Sequence, residues 1–320
     1  MIETSAQYHQ KTSYDRFSMS GHTLDWENQP RVFKEYPGME TIPLPEDVPP
    51  PDLKLSSLLQ GKRGETRERR FNLEDLSLIL HLTHTLTARA RVQGGDFYYR
   101  SAASTGALYP TEIYVAAEGL DGLGDGLYHF AIHRHGLCRL REGTVSGRTP
   151  EISETAGSEV TRLTLFFTAI FFRSAWKYRE RAYRYHLLDT GHVIENLVLA
   201  LRALRLPCRL SYDFDDRLTN DFLGLDDSRE VSLAVAHIAG RMEMPGEDGL
   251  PVKRLPDEIL EASRVSDREV PYPVIGEIHR AGIPGASSPD ERIERVPALG
   301  ITPATGAGLE RPTEGPEKMN

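Results

Sequence analysis

The segment from residue 187 to residue 206 constrains the fold of this chain more than any other. Its apolar side chains recur at the i, i+4, i+7, i+8 and i+11 spacing of a long helix. These positions are Val193, Leu197, Ala200, Leu201 and Leu204. Such a helix has more apolar surface than one face of a sheet would cover. We therefore expect it to be buried on more than one side, partly in a subunit interface.

Four other segments have the composition of β-strands. They are rich in β-branched and aromatic residues and are punctuated by Gly and Asp. They are EIYVAA at 112–117, GLYHFAI at 126–132, LTLFFTAIFF at 163–172 and VSLAVAHIAG at 231–240. These runs predict a sheet in the middle of the chain.

Length and composition fit one catalytic domain with polar segments at both ends. The chain has 320 residues, of which 39% are hydrophobic and 27% charged, enough apolar side chain for a sizeable core. Residues 1–52 end in the proline-rich TIPLPEDVPPPD and are expected to form an extended surface arm. Residues 53–245 are expected to form the catalytic domain, and residues 246–320 a polar, loose extension.

Charge and cysteine content exclude several classes of protein. The formal net charge is -9, so a general attraction to nucleic acid or to an anionic membrane is not expected. Cys138 and Cys208 lie far apart and fit neither a disulfide framework nor a thiolate metal site. The sequence shows no signal peptide and no apolar run long enough for a membrane span, so the expected location is the cytoplasm.

A basic loop is present in this otherwise acidic chain. GKRGETRERR, at 61–70, carries five Lys or Arg residues against two Glu. It lies between two predicted helices, the second of which has Asn72 as its expected N-cap. Lys62, Arg63 and Arg67 are suited to hold a phosphate dianion. The alternative is a solvated charge cluster without a ligand.

Small residues form a second candidate site in RSAASTGALYPTE, at 100–112. Gly and Ala just before a strand allow the backbone to approach a flat ligand closely. The A-A-S-T-G run is also a distorted form of the nucleophile elbow of serine hydrolases, with Ser104 at its centre. The hydrolase interpretation is disfavoured because Ser104 precedes a strand, whereas the elbow joins a strand to a helix.

Together the two loops resemble the flavin site of the nitroreductase superfamily. The resemblance implies an α+β fold, with a central, mainly antiparallel sheet flanked by helices, and FMN as the cofactor. The residues that correspond to the family's phosphate-binding loop are Arg63, Gly64, Thr66 and Arg67. Those that correspond to the segment against the flavin ring are Ala103, Ser104, Thr105 and Gly106.

Longer blocks resemble the SagB-type, ThcOx-like azoline dehydrogenases within that superfamily. YYRSAASTGALYPTEIYV, GLYHF, KYRERAYRYHLLDTGH and FLGLDDSREVSLAV occur in the family's order. The resemblance implies an FMN-dependent homodimer with its flavin sites at the subunit interface. It also implies a reaction, the dehydrogenation of thiazolines or oxazolines to azoles in a ribosomally made peptide. Cyclodehydratase partners would install the heterocycle.

In that family an adjacent Lys-Tyr pair is regarded as catalytic, and it corresponds here to Lys177 and Tyr178. Azole formation sends a hydride to the flavin and a proton to a base. A tyrosine with a pKa near 10 is a poor base. Either the Lys177 ammonium lowers the pKa of Tyr178, or a desolvated Lys177 is the base itself. Without the family match, the pair would be read as a surface dipeptide.

Two rival functions stay open at this point. The first is NAD(P)H-dependent reduction of nitro compounds, quinones or free flavin, as in the wider superfamily. The second is a non-catalytic docking subunit of a peptide-modification complex.

Two further sets of polar residues share helix faces. Asp189, His192 and Asn196 follow i, i+3, i+7 spacing and are expected to brace the long helix against a neighbouring element. His81 and His84 also share a face, but no carboxylate cluster accompanies them, so no metal site is expected there.

Overall fold

The computed structural model describes residues 2, 4–15, 17, 21–62, 71–92, 95–143, 162–239 and 254–283. All of these belong to the compact unit Met1–Ala286.

Seven strands within these ranges form one sheet in which every neighbouring pair is antiparallel. In spatial order they are β1 (Thr41–Pro43), β6 (Gly136–Glu142), β5 (Gly126–Ala131), β4 (Thr111–Glu118), β7 (Arg162–Ile170), β9 (Glu230–Ala239) and β8 (Arg209–Ser211). A separate antiparallel hairpin consists of β2 (Leu86–Val92) and β3 (Gly95–Arg100).

Helices cover both faces of the sheet. In the described part of the chain they are α1 (Ser5–Thr12), α2 (Leu55–Leu59), α3 (Leu73–Thr83), α4 (Phe171–Tyr178), α5 (Ala182–Leu204), α6 (Asp216–Leu223), α7 (Asp257–Glu261) and α8 (Pro273–Ala281). The mixture of helices with one large antiparallel sheet confirms the predicted α+β fold.

Strand β4 shows why the central strands are apolar on both sides. Ile113 and Val115 belong to the core cluster under α3 and α5, whereas Tyr114 and Ala116 belong to the cluster under α6 and α7. Successive side chains of a strand point to opposite faces. Every residue of β4 is therefore buried, and its sequence has no alternation of polar and apolar residues.

The predicted helices begin and end close to where the sequence indicates. Asn72 caps α3: its side chain accepts from the Asp75 amide, and the Asp75 side chain accepts from the Asn72 amide. The long helix α5 buries Val193, Leu197 and Leu201 against α3 and the sheet. The predicted N-cap and the predicted long helix are both confirmed.

One predicted strand ends earlier than expected. LTLFFTAIFF was expected to be extended to Phe172, but β7 stops at Ile170, and Phe171 is the first residue of α4. The Phe171 amide donates to the carbonyl of Arg229, at the start of β9. A continuous apolar run does not distinguish a strand from a buried helix, which is why the sequence does not mark this boundary.

The two end segments are packed where they are described, and the expectation of an extended arm and a loose extension is wrong there. Tyr8, Lys34 and Leu44 of residues 1–52 are buried, as are Ile259 and Ile275 of residues 246–320. The helices concerned are short or mostly polar, so their periodicity is weak in the sequence. The domain boundaries at 52 and 245 stay a prediction.

The strand pairing determines where the candidate site forms. Thr111 at the start of β4 pairs with Ala169 at the end of β7. Because β4 and β7 are antiparallel neighbours, the start of β4 and the end of β7 lie side by side at the same end of the strands. The loop that precedes β4 therefore meets α4, which follows β7.

Candidate active site

The loop that precedes β4 is held by one carboxylate from α5. Asp189 accepts from the Ser104 hydroxyl at 2.7 Å, from the Thr105 amide at 3.1 Å and from the Thr105 hydroxyl at 3.0 Å. The Ser104 hydroxyl also accepts from the Tyr109 amide at 2.8 Å. Charge-assisted hydrogen bonds of this kind are stronger than neutral ones, so Asp189 fixes the shape of the loop.

Gly106 lies directly against the Lys-Tyr pair. Its φ angle is +67°, a conformation that favours glycine. A Cβ at this position would lie 2.7 Å from Tyr178 Oη and 3.2 Å from Lys177 Nζ. The absence of a side chain on Gly106 thus leaves space for both polar groups.

The end of α4 is held by the segment before β1. The Trp176 indole donates to the carbonyl of Asp25 at 2.8 Å, and the Trp176 ring packs edge-on against Trp26. The carbonyl of Lys177 lies 3.0 Å from His22 Nε2. At Arg179 the backbone turns sharply, with φ +51°, before α5 begins. Contacts from distant residues therefore hold the two residues at the end of α4.

The environment of Tyr178 favours its neutral form. Burial raises the pKa of Tyr178 above its ordinary value, and Tyr185, Tyr14 and Asp189 raise it further. A tyrosine in this setting carries little phenolate at neutral pH. The expectation that Lys177 lowers the pKa of Tyr178 is therefore not met in this arrangement.

A buried ion pair lies beneath α4. The Arg173 guanidinium contacts the Glu112 carboxylate and donates to the Tyr109 carbonyl at 3.1 Å. Glu112 also accepts from His129 Nε2 at 2.8 Å. Although burial opposes it, the Arg173 charge together with His129 holds the pKa of Glu112 well below its usual range. This cluster joins α4 to the loop before β4, and none of its three charged residues was predicted from the sequence.

A second buried cluster joins the amino-terminal segment to the sheet. Lys34 Nζ contacts Glu230 of β9, Tyr114 Oη at 2.6 Å and Ser263 Oγ at 3.2 Å. Glu230 also accepts from the Thr168 hydroxyl at 2.6 Å. The side chains of Lys34 and Glu230 are fully buried. The signal that could have found both clusters is a charged residue inside a strongly apolar strand.

The structure brings together six of the proposed site residues. Ala103, Ser104, Thr105 and Gly106 form one wall, and Lys177 and Tyr178 contact it at Gly106. Arg63, Gly64, Thr66 and Arg67 lie outside the described residues. Asp189 and Asn196 brace α5 as expected, since the Asn196 amide donates to the Thr83 carbonyl at 3.1 Å, whereas His192 is exposed.

The geometry suits a flat cofactor better than a serine nucleophile. The Ser104 hydroxyl is bonded to Asp189 and to the Tyr109 amide. With the Ser104 and Thr105 side chains bonded to Asp189, the loop exposes Ala103 and Gly106. A surface of small side chains and backbone fits a planar ring such as that of a flavin.

The described residues offer no competing metal site and no membrane helix. In these ranges no group of three or more His, Cys, Asp or Glu side chains is arranged to hold a metal ion. Nε2 of His84, a residue considered above as a metal ligand, lies 3.0 Å from Nη1 of Arg100. Among the helices described, none has the length and apolar content to cross a bilayer.

Comparison with known proteins identifies the family. Residues 67–240 match the model of the nitroreductase family. A Methanocaldococcus jannaschii protein described as a nitroreductase is 28% identical over 48% of this chain and 76% of its own length. A crystal structure of an Anabaena variabilis protein, also described as a nitroreductase, matches with a TM-score of 0.63 at 28% identity, covering 88% of this chain and 55% of that one.

Two further relatives are peptide-processing proteins. The trifolitoxin-processing protein of Rhizobium leguminosarum is 25% identical over 56% of this chain, and the microcin B17-processing protein of Escherichia coli is 27% identical over 42%. The matched regions span only 50% and 52% of the lengths of these two proteins.

Proposed function

This chain belongs to the nitroreductase family, and from that premise we propose that it is an FMN-dependent dehydrogenase of thiazoline or oxazoline rings in a ribosomally made peptide. The observation that carries the proposal is the convergence of Lys177 and Tyr178 on Gly106. Similarity to two peptide-processing proteins supports a peptide as the substrate.

The proposed cofactor site has two parts. Arg63, Gly64, Thr66 and Arg67 would bind the FMN phosphate, because guanidinium forks and backbone amides match its oxygens. Ala103, Ser104, Thr105 and Gly106 would lie against the flavin ring. Their small side chains and their fixation by Asp189 support this assignment.

In the proposed reaction the two hydrogens removed from the azoline leave as a hydride and a proton. When bound, FMN would supply the acceptor for the hydride, and dioxygen would be the oxidant that takes up the two electrons. The proton goes to the Lys177 and Tyr178 pair. Because the pKa of Tyr178 is raised, the neutral phenol is suited to orient the ring by a hydrogen bond, and Lys177 takes the proton once the substrate excludes water. Arg173 and Glu112 hold α4 in place during this step.

The experiment that tests this function uses the full chain loaded with FMN. With a synthetic thiazoline peptide in air, mass spectrometry should show the loss of two hydrogens without added NAD(P)H. The rival function, suggested by the relatives described as nitroreductases, would give NAD(P)H-dependent reduction of a nitro compound or quinone. Activity of the rival kind alone would refute the azoline assignment, and a flavin-free protein without either activity would favour a docking subunit.

Replacing Arg67 by alanine is expected to weaken FMN binding by about tenfold to a hundredfold. The reason is the loss of one charge-assisted contact to the phosphate, which is worth on the order of 1.5–3 kcal/mol. Quenching of flavin fluorescence on titration measures the dissociation constant. Arg254→Ala serves as control, because Arg254 is exposed and pairs only with Asp257 among the described residues. An unchanged constant for Arg67→Ala would remove Arg67 from the site.

We also propose a homodimer and, in the cell, cyclodehydratase partners. Leu187 and Leu188 of α5 are 49% and 60% exposed, although the neighbouring His186 and Asp189 are buried. Adjacent exposed leucines on a helix whose other face is buried are suited to contact a second copy of the chain.

A further inference from the structure

Tyrosines from two distant parts of the chain line up beside the candidate site. The rings of Tyr178 and Tyr185 lie 4.6 Å apart between centroids, inclined at 59°. Tyr185 and Tyr14, which follows α1, both lie beside the Arg181 guanidinium, which is 5.9 Å from the Tyr185 ring centroid and 4.3 Å from that of Tyr14. An aromatic row therefore leads from Gly106 through Tyr178 and Tyr185 to Tyr14.

Arg181 fixes the outer end of this row. Its guanidinium lies 4.3 Å from the centroid of the Tyr14 ring, within cation–π range, and its Nε donates to the Tyr185 hydroxyl at 3.0 Å. It also donates to the carbonyl of Thr12, the last residue of α1. One side chain thus holds both tyrosines and the segment that carries Tyr14.

The helix before Tyr14 is firmly docked. The Tyr8 hydroxyl donates to the Glu180 carbonyl at 2.8 Å, and Arg184 donates to the Thr12 hydroxyl at 2.8 Å. Tyr8 and Thr12 are both buried. Tyr14 is therefore held at the end of a rigid element attached to the turn that follows Tyr178.

Despite this fixation, Tyr14 is 62% exposed. A tyrosine held in place has already lost most of its side-chain freedom, so contact with a ligand costs little additional entropy. An aromatic face favours planar, aromatic partners through offset or edge-to-face contacts.

We propose that Tyr14 and Tyr185 form a stacking wall that binds a planar heteroaromatic ring of the peptide substrate next to the ring that is oxidised. This inference rests on the proposed function and specifies the substrate class further. A peptide in which an azole flanks the azoline is favoured over one in which the azoline stands alone.

The test compares two thiazoline peptides, one with a neighbouring thiazole and one with alanine in its place. Tyr14→Ala should raise KM for the thiazole-flanked peptide about three- to tenfold, with kcat and FMN content nearly unchanged. Tyr14→Phe should keep the wild-type KM, since stacking needs the ring and not the hydroxyl. The alanine-flanked peptide should show equal KM values for all variants.

Tyr212→Ala is the matched control, because Tyr212 is 65% exposed and follows β8 at the far edge of the sheet. An unchanged KM for Tyr14→Ala with the thiazole-flanked peptide would overturn the inference. So would a loss of FMN from Tyr14→Ala, which would assign Tyr14 to the cofactor.

A binding measurement separates this inference from the proposed function. Fluorescence anisotropy with a labelled bis-thiazole peptide needs no turnover, and Tyr14→Ala should weaken binding by the same factor. If wild-type protein binds this peptide through Tyr14 but oxidises no azoline, the dehydrogenase assignment fails and the stacking wall stands. If binding does not depend on Tyr14, the stacking wall fails whatever the activity.

Discussion

If Tyr178 is the principal base, replacing it by phenylalanine is expected to lower turnover of an azoline peptide about 10²–10⁴-fold, or about 3–5 kcal/mol of transition-state stabilisation, while FMN stays bound. The phenol oxygen lies over Gly106, where the reacting ring would meet the flavin. Lys177→Ala should cause a comparable loss if the neutral Lys177 amine, formed by desolvation, accepts the proton. Steady-state kinetics with a flavin absorbance check measures both effects.

The pH dependence of kcat/KM distinguishes the roles of the two residues. A base must be deprotonated to act, so the rate rises with pH up to the pKa of the base. The pKa of Tyr178 lies above its ordinary value of 10. If Tyr178 is the base, the wild-type rate should still rise above pH 10, and Tyr178→Phe should lose that rise. If Lys177 is the base, Tyr178→Phe keeps the pH dependence and Lys177→Ala loses it.

Wild-type rates in both variants, with the flavin retained, would show that neither residue reacts. The proton acceptor would then have to be sought elsewhere around Gly106. Tyr212→Phe provides the control for a phenol removed at an exposed position.

Breaking the buried pair between Lys34 and Glu230 is expected to cost about 3–5 kcal/mol of folding free energy. Lys34→Met removes the ammonium and leaves the Glu230 carboxylate buried, with the hydroxyls of Thr168, Ser263 and Tyr114 as its remaining donors. Urea unfolding measures the loss. Adding Glu230→Leu should recover much of it, because an apolar pair leaves no isolated charge in the core.

The exposed pair of Arg254 and Asp257 is the matched control. Its side chains are 75% and 80% exposed, so Arg254→Met should change stability by less than about 1 kcal/mol. An equally small effect for Lys34→Met would mean that water or local rearrangement compensates the buried carboxylate.

The sequence predicts the elements that depend on local patterns. Asn72 caps α3, β4 occupies the expected apolar run, and α5 follows its helical periodicity because each of these signals lies within a few residues. By contrast, α1 buries only Tyr8 and Thr12, too few positions for a recognisable period.

The site needed contacts that no local pattern contains. Asp189 and Ser104 are 85 positions apart, and Lys34 and Glu230 are 196 apart. The sequence indicates the loop before β4 and helix α4 separately. The antiparallel pairing of β4 with β7 is what brings these two segments together. Glu112 and Glu230 could have been singled out, because a carboxylate in a buried strand requires a buried partner.

The docking of α1 has a consequence for biosynthesis. The Tyr8 hydroxyl bonds to the Glu180 carbonyl, 172 residues later, and the Ile2 amide bonds to Glu277, 275 residues later. A ribosome releases the amino end first, so this helix emerges long before its partners exist. Helix α1 thus reaches its full set of contacts only after translation has passed α8, and the proposed stacking wall of Tyr14 and Tyr185 stays incomplete in nascent chains until then.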